Sequence, residues 1–178
     1  MPKSDNVQAI KLYNSIEKHI SHDAAEEFMI KLPLSKSADY VKKFKWANNV
    51  CIYLEERFSE TEIRRIRIDC SCLPGSKAEK VKQIYESSAN YVEFCEKFNK
   101  EYAPANSLSA DGDVLYFSYP MCYCSCVQRG DGNVSKSWCV CTVGYTEKLF
   151  SHALSRKVQV ELLESVKTGG AKCVMQIK

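Results

Sequence analysis

Apolar residues recur every three or four positions through the first hundred residues, the spacing that predicts amphipathic helices. The pattern divides into segments at about 5–31, 37–58, 59–68 and 76–102. Ser59 with Glu62 and Ser76 with Glu79 have the spacing of a capping box, which marks the start of the third and fourth segments. We therefore predict a mainly helical part over residues 1–104.

After residue 104 the spacing between apolar residues becomes shorter and approaches the alternation of apolar and polar residues, and aromatic and β-branched residues become frequent. The pattern predicts strands at 113–127, 137–143, 158–163 and 171–177, with a short helix at 144–154. Glycine-containing turns separate the strands of each pair, which indicates hairpins. Helices followed by antiparallel hairpins are typical of an α+β fold. We predict one domain over 1–178, with N-terminal helices packed on a four-stranded antiparallel sheet of two hairpins and an intervening helix, the sheet forming a cysteine-rich part over 105–178.

Composition and charge narrow the classes of function. The chain is 45% hydrophobic and 26% charged, as is typical of globular proteins, and its net charge is +3. The basic clusters at 42–45 and 64–67 are flanked by acidic residues, so we interpret both as solvated helix faces and expect no nucleic-acid partner. The chain shows no 18-residue apolar run and no apolar leader segment, so we expect a cytoplasmic protein without a membrane partner. A homodimer remains open.

Ten cysteines in a reducing compartment do not indicate a disulfide framework. Five of them stand in the stretches CYCSC, residues 122–126, and CVC, residues 139–141. In a hairpin turning at Asp131 and Gly132, Cys122 would face Cys141 and Cys124 would face Cys139, with cross-strand Cβ atoms roughly 5 Å apart. Four thiols would then share one face of the sheet.

A tetrahedral metal ion needs ligands on all sides, which one flat face cannot supply. Further thiolates would have to come from another segment, such as Cys70 and Cys72 or Cys173. The sequence thus predicts a thiolate metal site that holds zinc, or alternatively an iron–sulfur cluster. The candidate ligands are Cys70, Cys72, Cys122, Cys124, Cys139, Cys141 and Cys173.

Other interpretations of the cysteines stay open. Reduced cysteine behaves as a small apolar side chain, so the cysteine-lined face can also be core, as we expect for Cys51 and Cys95 on apolar helix faces. One thiol can instead be a nucleophile or a redox sensor. A disulfide within one CxC stretch is at the edge of reach in an extended strand, where two residues span about 6.8 Å. No catalytic residue stands out.

Residues 110–178 carry a further pattern. Cys141 precedes the start of a helix, a Glu-Ser165 pair lies on the next strand, and Gly169 to Cys173 has Gly-x-x-x-Cys spacing. This pattern resembles the ending of the 4-vinyl reductase domain family and is similar to that of the L-2-amino-thiazoline-4-carboxylic acid hydrolase family. The resemblance implies an α+β ligand-binding fold, often with a cysteine metal site, and places Cys141 and Cys173 at matching positions. Ser165 stands where that family has its middle cysteine.

Three functions follow from these observations. The first is a small-molecule-binding or sensory domain with a cysteine thiolate metal site and an unidentified small-molecule ligand. The second is a thiol-dependent hydrolase of a small heterocyclic or amide substrate, which requires one activated cysteine in a pocket. The third is a non-catalytic interaction module with a cysteine-rich core.

Overall fold

The computed structural model describes residues 4–178, which form seven α-helices and one four-stranded antiparallel sheet. The helices are α1 Val7–His19, α2 His22–Lys31, α3 Tyr40–Arg57, α4 Glu60–Asp69, α5 Gly75–Glu86, α6 Tyr91–Tyr102 and α7 Lys136–Ala153. The strands are β1 Ser107–Asp111, β2 Val114–Tyr119, β3 Val160–Glu164 and β4 Cys173–Ile177, in the order β1-β2-β4-β3. The α+β class is confirmed, with six helices preceding the sheet. No helix among these residues is long and apolar enough to cross a membrane.

The helix boundaries follow local capping. At the start of α4 the Ser59 hydroxyl accepts from the Glu62 N–H while the Glu62 carboxylate accepts from the Ser59 N–H, which confirms that capping box. The predicted box at Ser76 is wrong, because α5 already begins at Gly75 and has no side-chain cap. The predicted fourth segment is two helices, since Asn90 caps a new start for α6.

The predicted hairpin that carried the CYCSC and CVC stretches is wrong. Strand β2 ends at Tyr119, directly before Pro120, which has no N–H for a ladder. Turns follow at residues 125–129, and the CVC stretch lies inside α7. The first hairpin is instead formed by β1 and β2, which the sequence pattern did not predict. The C-terminal hairpin of β3 and β4 is confirmed.

The chain divides into two compact units. The first comprises the chain up to Ser71 together with Tyr123–Cys141. Its core consists of buried apolar side chains from α1 to α4, including Leu12, Ile16, Phe28, Val50, Leu54 and Ile66.

The second unit comprises Cys72–Cys122 and Thr142–Lys178. One row of paired residues crosses its sheet and is buried throughout: Leu108, Phe117, Met175 and Leu162. The rings of Phe98 and Phe150 contact Phe117 with centroids 6.0 and 5.5 Å away. The Asn99 side chain bonds both the N–H and the carbonyl of Leu108, at 2.7 and 2.8 Å, and so ties α6 to the edge strand β1.

The turn between β1 and β2 offers a test of backbone conformation alone. Gly112 has φ +57°, and a Cβ built there meets nothing within 4 Å. Gly75, the first residue of α5, also has free space for a Cβ but an ordinary φ. We expect Gly112→Ala to lower the free energy of unfolding by about 1–2 kcal/mol, because an L side chain disfavours the left-handed region. Gly75→Ala should be neutral or stabilise by up to about 1 kcal/mol. Urea denaturation measures both, and equal losses in the two variants would contradict this account of the turn.

Candidate functional site

Arg67 lies on the apolar face of α4, in the first unit. Ile63, Ile66 and Cys70 share this face at helical spacing, and all three are buried. Arg67 itself is only 1% exposed. The prediction that the 64–67 cluster is a solvated face is therefore wrong for Arg67, although it holds for Arg64 and Arg65, which are exposed.

The buried guanidinium has few polar partners. Its Nη2 donates to the Trp138 carbonyl at 2.7 Å, and its Cζ lies 4.2 Å from the centroid of the Trp138 ring, a cation–π contact. Its Nε and Nη1 have no hydrogen-bond partner in the described part of the chain. The groups whose charge, when ionised, would raise the pKa of Arg67 against desolvation are cysteines rather than carboxylates, namely Cys141, Cys70, Cys124 and Cys51.

Cys124 lies at the start of a helical turn, where its carbonyl accepts from the N–H groups of Val127 and Gln128 at 3.0 and 2.8 Å. Its sulfur accepts hydrogen bonds from the Cys126 thiol, from the Cys126 N–H and, at 3.4 Å, from Trp138 Nε1. The bond from the Cys126 thiol, together with those from Trp138 and the Cys126 N–H and with the Arg67 charge, outweighs desolvation and lowers the pKa of Cys124 to about 5. These contacts therefore favour the thiolate form of Cys124.

The neighbouring thiols shift in the opposite direction. The hydrogen bond to Cys124 and burial raise the pKa of Cys126, so this pair holds its remaining proton on Cys126. Desolvation raises the pKa of Cys141 to about 12 and also raises that of Cys51. The site thus combines one anionic sulfur with several neutral thiols around one buried cation.

The loop that carries Cys124 is held on α3 by close packing. A Cβ at Gly130 would lie 2.1 Å from Cδ2 of Phe44, so only glycine permits this approach. Cys126 and Val127 anchor the same loop as buried side chains, at 2% and 0% exposure. The rings of Trp138 and Trp46 on α3 make an edge-to-face contact, with their centroids 5.8 Å apart.

The predicted metal ligands are divided between the two units. Cys70, Cys124, Cys139 and Cys141 belong to the first unit, where the Cys70 thiol donates to the Ile66 carbonyl at 3.3 Å. Cys72, Cys122 and Cys173 belong to the second unit, where they are exposed, half-buried and buried in β4, respectively. Within residues 4–178 no group of three or more His, Cys, Asp or Glu residues could hold a metal ion. Zinc or cluster ligation by these seven cysteines stays a prediction.

Two other expectations about cysteines have clear outcomes. The pairing of Cys122 with Cys141 and of Cys124 with Cys139 is wrong, because it depended on the hairpin that is absent among the described residues. Cys51 and Cys95 are buried, as expected for core positions, at 3% and 7% exposure.

Sequence reasoning missed Arg67 and Trp138. A signal for Arg67 was present, because Ile63, Ile66, Arg67 and Cys70 follow the i, i+3, i+4, i+7 spacing of a buried helix face. A basic residue on that stripe indicates a buried charge, which needs a specific partner. Trp138 carried no such signal, since the surrounding residues were assigned to a strand.

Trp138→Phe tests the hydrogen bond to the Cys124 sulfur. The variant keeps an aromatic face for Arg67 and the backbone carbonyl but loses the Nε1–H donor. A hydrogen bond to a charged group contributes about 1.5–3 kcal/mol, so the pKa of Cys124 should rise by about one to two units. The pH dependence of Cys124 alkylation measures this shift. Trp46→Phe is the control, because the Trp46 N–H donates to the Leu32 carbonyl instead. An unchanged midpoint in Trp138→Phe would contradict the assigned role.

Known structures show a distant likeness. An H-NOX protein from S. oneidensis, solved in the Fe(II)NO ligation state, is 14% identical with a TM-score of 0.43, over 97% of this chain and 98% of that one. An H-NOX domain from Shewanella oneidensis in the Fe(II)CO ligation state is 13% identical with a TM-score of 0.44, over 97% of each chain. A TM-score below 0.5 does not establish a common fold, so this likeness assigns no ligand to the chain.

Sequence comparison gives a firmer result. No curated protein matches the chain. The model of a family of unknown function, DUF6144, matches residues 1–178. The resemblance to the 4-vinyl reductase domain family is therefore wrong, and the site assignments of Cys141 and Cys173 that it implied lose their support. Its matching residues were spaced along predicted strands, and Cys141 lies in a helix instead. The chain belongs to the DUF6144 family.

Proposed function

We propose that the protein is a small-molecule sensory domain whose responsive group is the Cys124 thiolate. The observation that carries this proposal is the buried guanidinium of Arg67, which is surrounded by cysteines instead of a carboxylate. The proposal keeps the sensory function expected from the sequence but replaces a metal with a reactive sulfur.

The charge of Arg67 requires a nearby anion. Burying an unpaired guanidinium costs desolvation free energy. A negatively charged group buried nearby offsets part of that free energy. Among the four cysteines that act on Arg67, Cys124 is the one with three hydrogen-bond donors aimed at its sulfur. The negative charge is therefore best stabilised on Cys124.

A stabilised thiolate is the form of cysteine that reacts with electrophiles and oxidants. Cys124 is half-buried and Cys126 is buried, so Cys124 is the more accessible of the two residues to a small reagent. The high pKa values of Cys51 and Cys141 make those thiols poor nucleophiles at neutral pH. This contrast would give the site selectivity for one sulfur.

The alternative of a thiol hydrolase has less support. Such an enzyme needs a general acid for its leaving group, most often histidine. The three histidines of the chain each contact a carboxylate: His19 with Asp69, His22 with Glu17 and His152 with Glu79. The pKa of Cys124 is lowered by Cys126, Trp138 and Arg67 instead. An interaction module with an inert cysteine core would not require a buried arginine.

Limited alkylation with iodoacetamide at about pH 5.5, followed by peptide mapping, tests the proposal. With a pKa of about 5, most of Cys124 is ionised there, against about one in a thousand of an ordinary thiol with pKa 8.5. A thiolate of lower pKa is also a weaker nucleophile, which reduces this difference in reactivity by about 25- to 55-fold. Cys124 should still react on the order of tenfold faster than the other cysteines.

Matched variants sharpen the test. Arg67→Met removes the buried charge and should reduce the preference for Cys124, whereas Arg64→Met removes an exposed charge on the same helix and should preserve it. Uniform labelling of the wild type, or a different cysteine reacting first, would contradict the proposal. Elemental analysis of the same sample tests zinc and iron–sulfur binding separately.

A further inference from the structure

We propose that Lys77 is a nucleophilic amine that binds small aldehydes as an imine. Lys77 lies on α5 in the second unit, and the residues that form its surroundings include none of the ten cysteines. The inference therefore goes beyond the proposed function of Cys124 and does not depend on it.

Two aromatic rings contact the end of the Lys77 side chain. Its Nζ lies 5.3 Å from the centroid of the Tyr102 ring and 5.5 Å from that of the Tyr145 ring. The rings come from α6 and α7, and all three residues are half-buried and belong to the second unit. The rings therefore exclude part of the water that surrounds an exposed lysine.

Lys77 differs from the other two lysines of α5 in its partners. Lys80 forms an ion pair with Glu101, and the Nζ of Lys82 lies 3.7 Å from Oε1 of Glu86. The Lys77 side chain has no carboxylate and no hydrogen-bond acceptor in the described part of the chain. An ammonium group has three N–H donors, so Lys77 loses water contacts without gaining protein acceptors.

Burial without a counter-ion favours the neutral amine. Desolvation lowers the pKa of Lys77 below its ordinary value. The rings attract an ammonium ion, which offsets part of this effect but supplies no negative charge. On Lys80, in contrast, the hydrogen bond to Glu101 raises the pKa. The neutral form, which is the nucleophile, is therefore more populated on Lys77 than on Lys80.

The same rings carry phenol groups that stay protonated at neutral pH. Burial raises the pKa of Tyr145 to about 12 and also raises that of Tyr102. The Tyr102 hydroxyl is buried and has no hydrogen-bond partner among the described residues. An unused donor on a ring that contacts the amine favours a ligand with an oxygen acceptor, such as a carbonyl compound.

The surroundings of Lys77 also favour an aldehyde over an acyl donor. An acyl donor would release an anionic leaving group, which needs a cation to stabilise it. Lys80, one helical turn away from Lys77, is already paired with Glu101. An aldehyde that forms an imine releases only water, so it needs no further charge at this site.

The reaction needs no oxidant or reductant. The lone pair of the Lys77 nitrogen attacks the carbonyl carbon, and a proton moves from nitrogen to oxygen to give a carbinolamine. The C–O bond then breaks, the hydroxyl group leaves with the second proton of the nitrogen as water, and the C=N bond forms. One aldehyde is bound and one water is released.

Limited treatment of the full chain with acetaldehyde and cyanoborohydride at about pH 7.5 tests this inference. Cyanoborohydride reduces the imine to an N-ethyl group, which peptide mapping assigns to a residue. The neutral fraction of a lysine rises about tenfold for each unit by which its pKa falls. We expect Lys77 to be ethylated about three- to tenfold faster than Lys82, the half-buried but ion-paired lysine of the same helix.

Two variants of Tyr145 distinguish burial of the amine from simple exposure. Tyr145→Phe keeps a ring beside Lys77 and should preserve its preference. Tyr145→Ser admits water to the amine and should bring the rate of Lys77 close to that of Lys82. Circular dichroism checks that both variants are folded. Lys77→Arg should lose the fast site, while Lys82 reacts as in the wild type.

The comparison of Lys77 with Lys82 in the wild type needs no variant. If Lys77 reacts no faster than Lys82, the inference is overturned. It is also overturned if folded Tyr145→Ser keeps the full preference, because the preference would then come from exposure alone. Neither result affects the proposed function, which the alkylation of Cys124 tests separately.

Discussion

The buried charge of Arg67 is the constraint on which the candidate site depends. A guanidinium that is removed from water has to be compensated locally, and the usual compensation is a carboxylate. In this protein cysteines surround the charge, and only one of them has enough hydrogen-bond donors to become the anion. The lowered pKa of Cys124 thus comes from the donors at its sulfur, above all Cys126, together with the arginine that α4 places nearby.

Trp138 connects the parts of this arrangement. Its carbonyl accepts from Arg67, its ring face receives the guanidinium, and its N–H donates to Cys124. The ring also contacts Trp46 on α3, so a change of charge at Cys124 acts on side chains that belong to the core. A chemical event on one sulfur can thereby be converted into a change of packing, which is what a sensory domain requires.

The helices and the C-terminal hairpin could be predicted because their apolar periodicity agrees with their tertiary environment. The cysteine-rich segment could not, because its aromatic and branched residues favour strands while Pro120 and the turn after it end β2 early. The start of α7 was missed for the same reason, although Val143, Leu149, Phe150 and Ala153 already recur at helical spacing and are all buried.

The candidate site was predicted only in part. The sequence drew attention to the cysteines, but their assignment to a metal assumed that neighbouring thiols in a strand share a face. Of the partners that select Cys124, Cys126 is close in the sequence, but Arg67 and Trp138 come from different helices. Periodicity could place Arg67 on a buried face, but only tertiary structure shows which sulfur it meets.

The central claim is that the folded protein carries one thiolate at neutral pH, beside a buried arginine. An ultraviolet titration of thiolate absorbance, wild type against Cys124→Ser, measures this directly. The account predicts a step of one thiolate per chain with a midpoint near pH 5 in the wild type, and the loss of this step in the variant. Identical curves for both proteins, with no thiolate step near pH 5 in either, would contradict it.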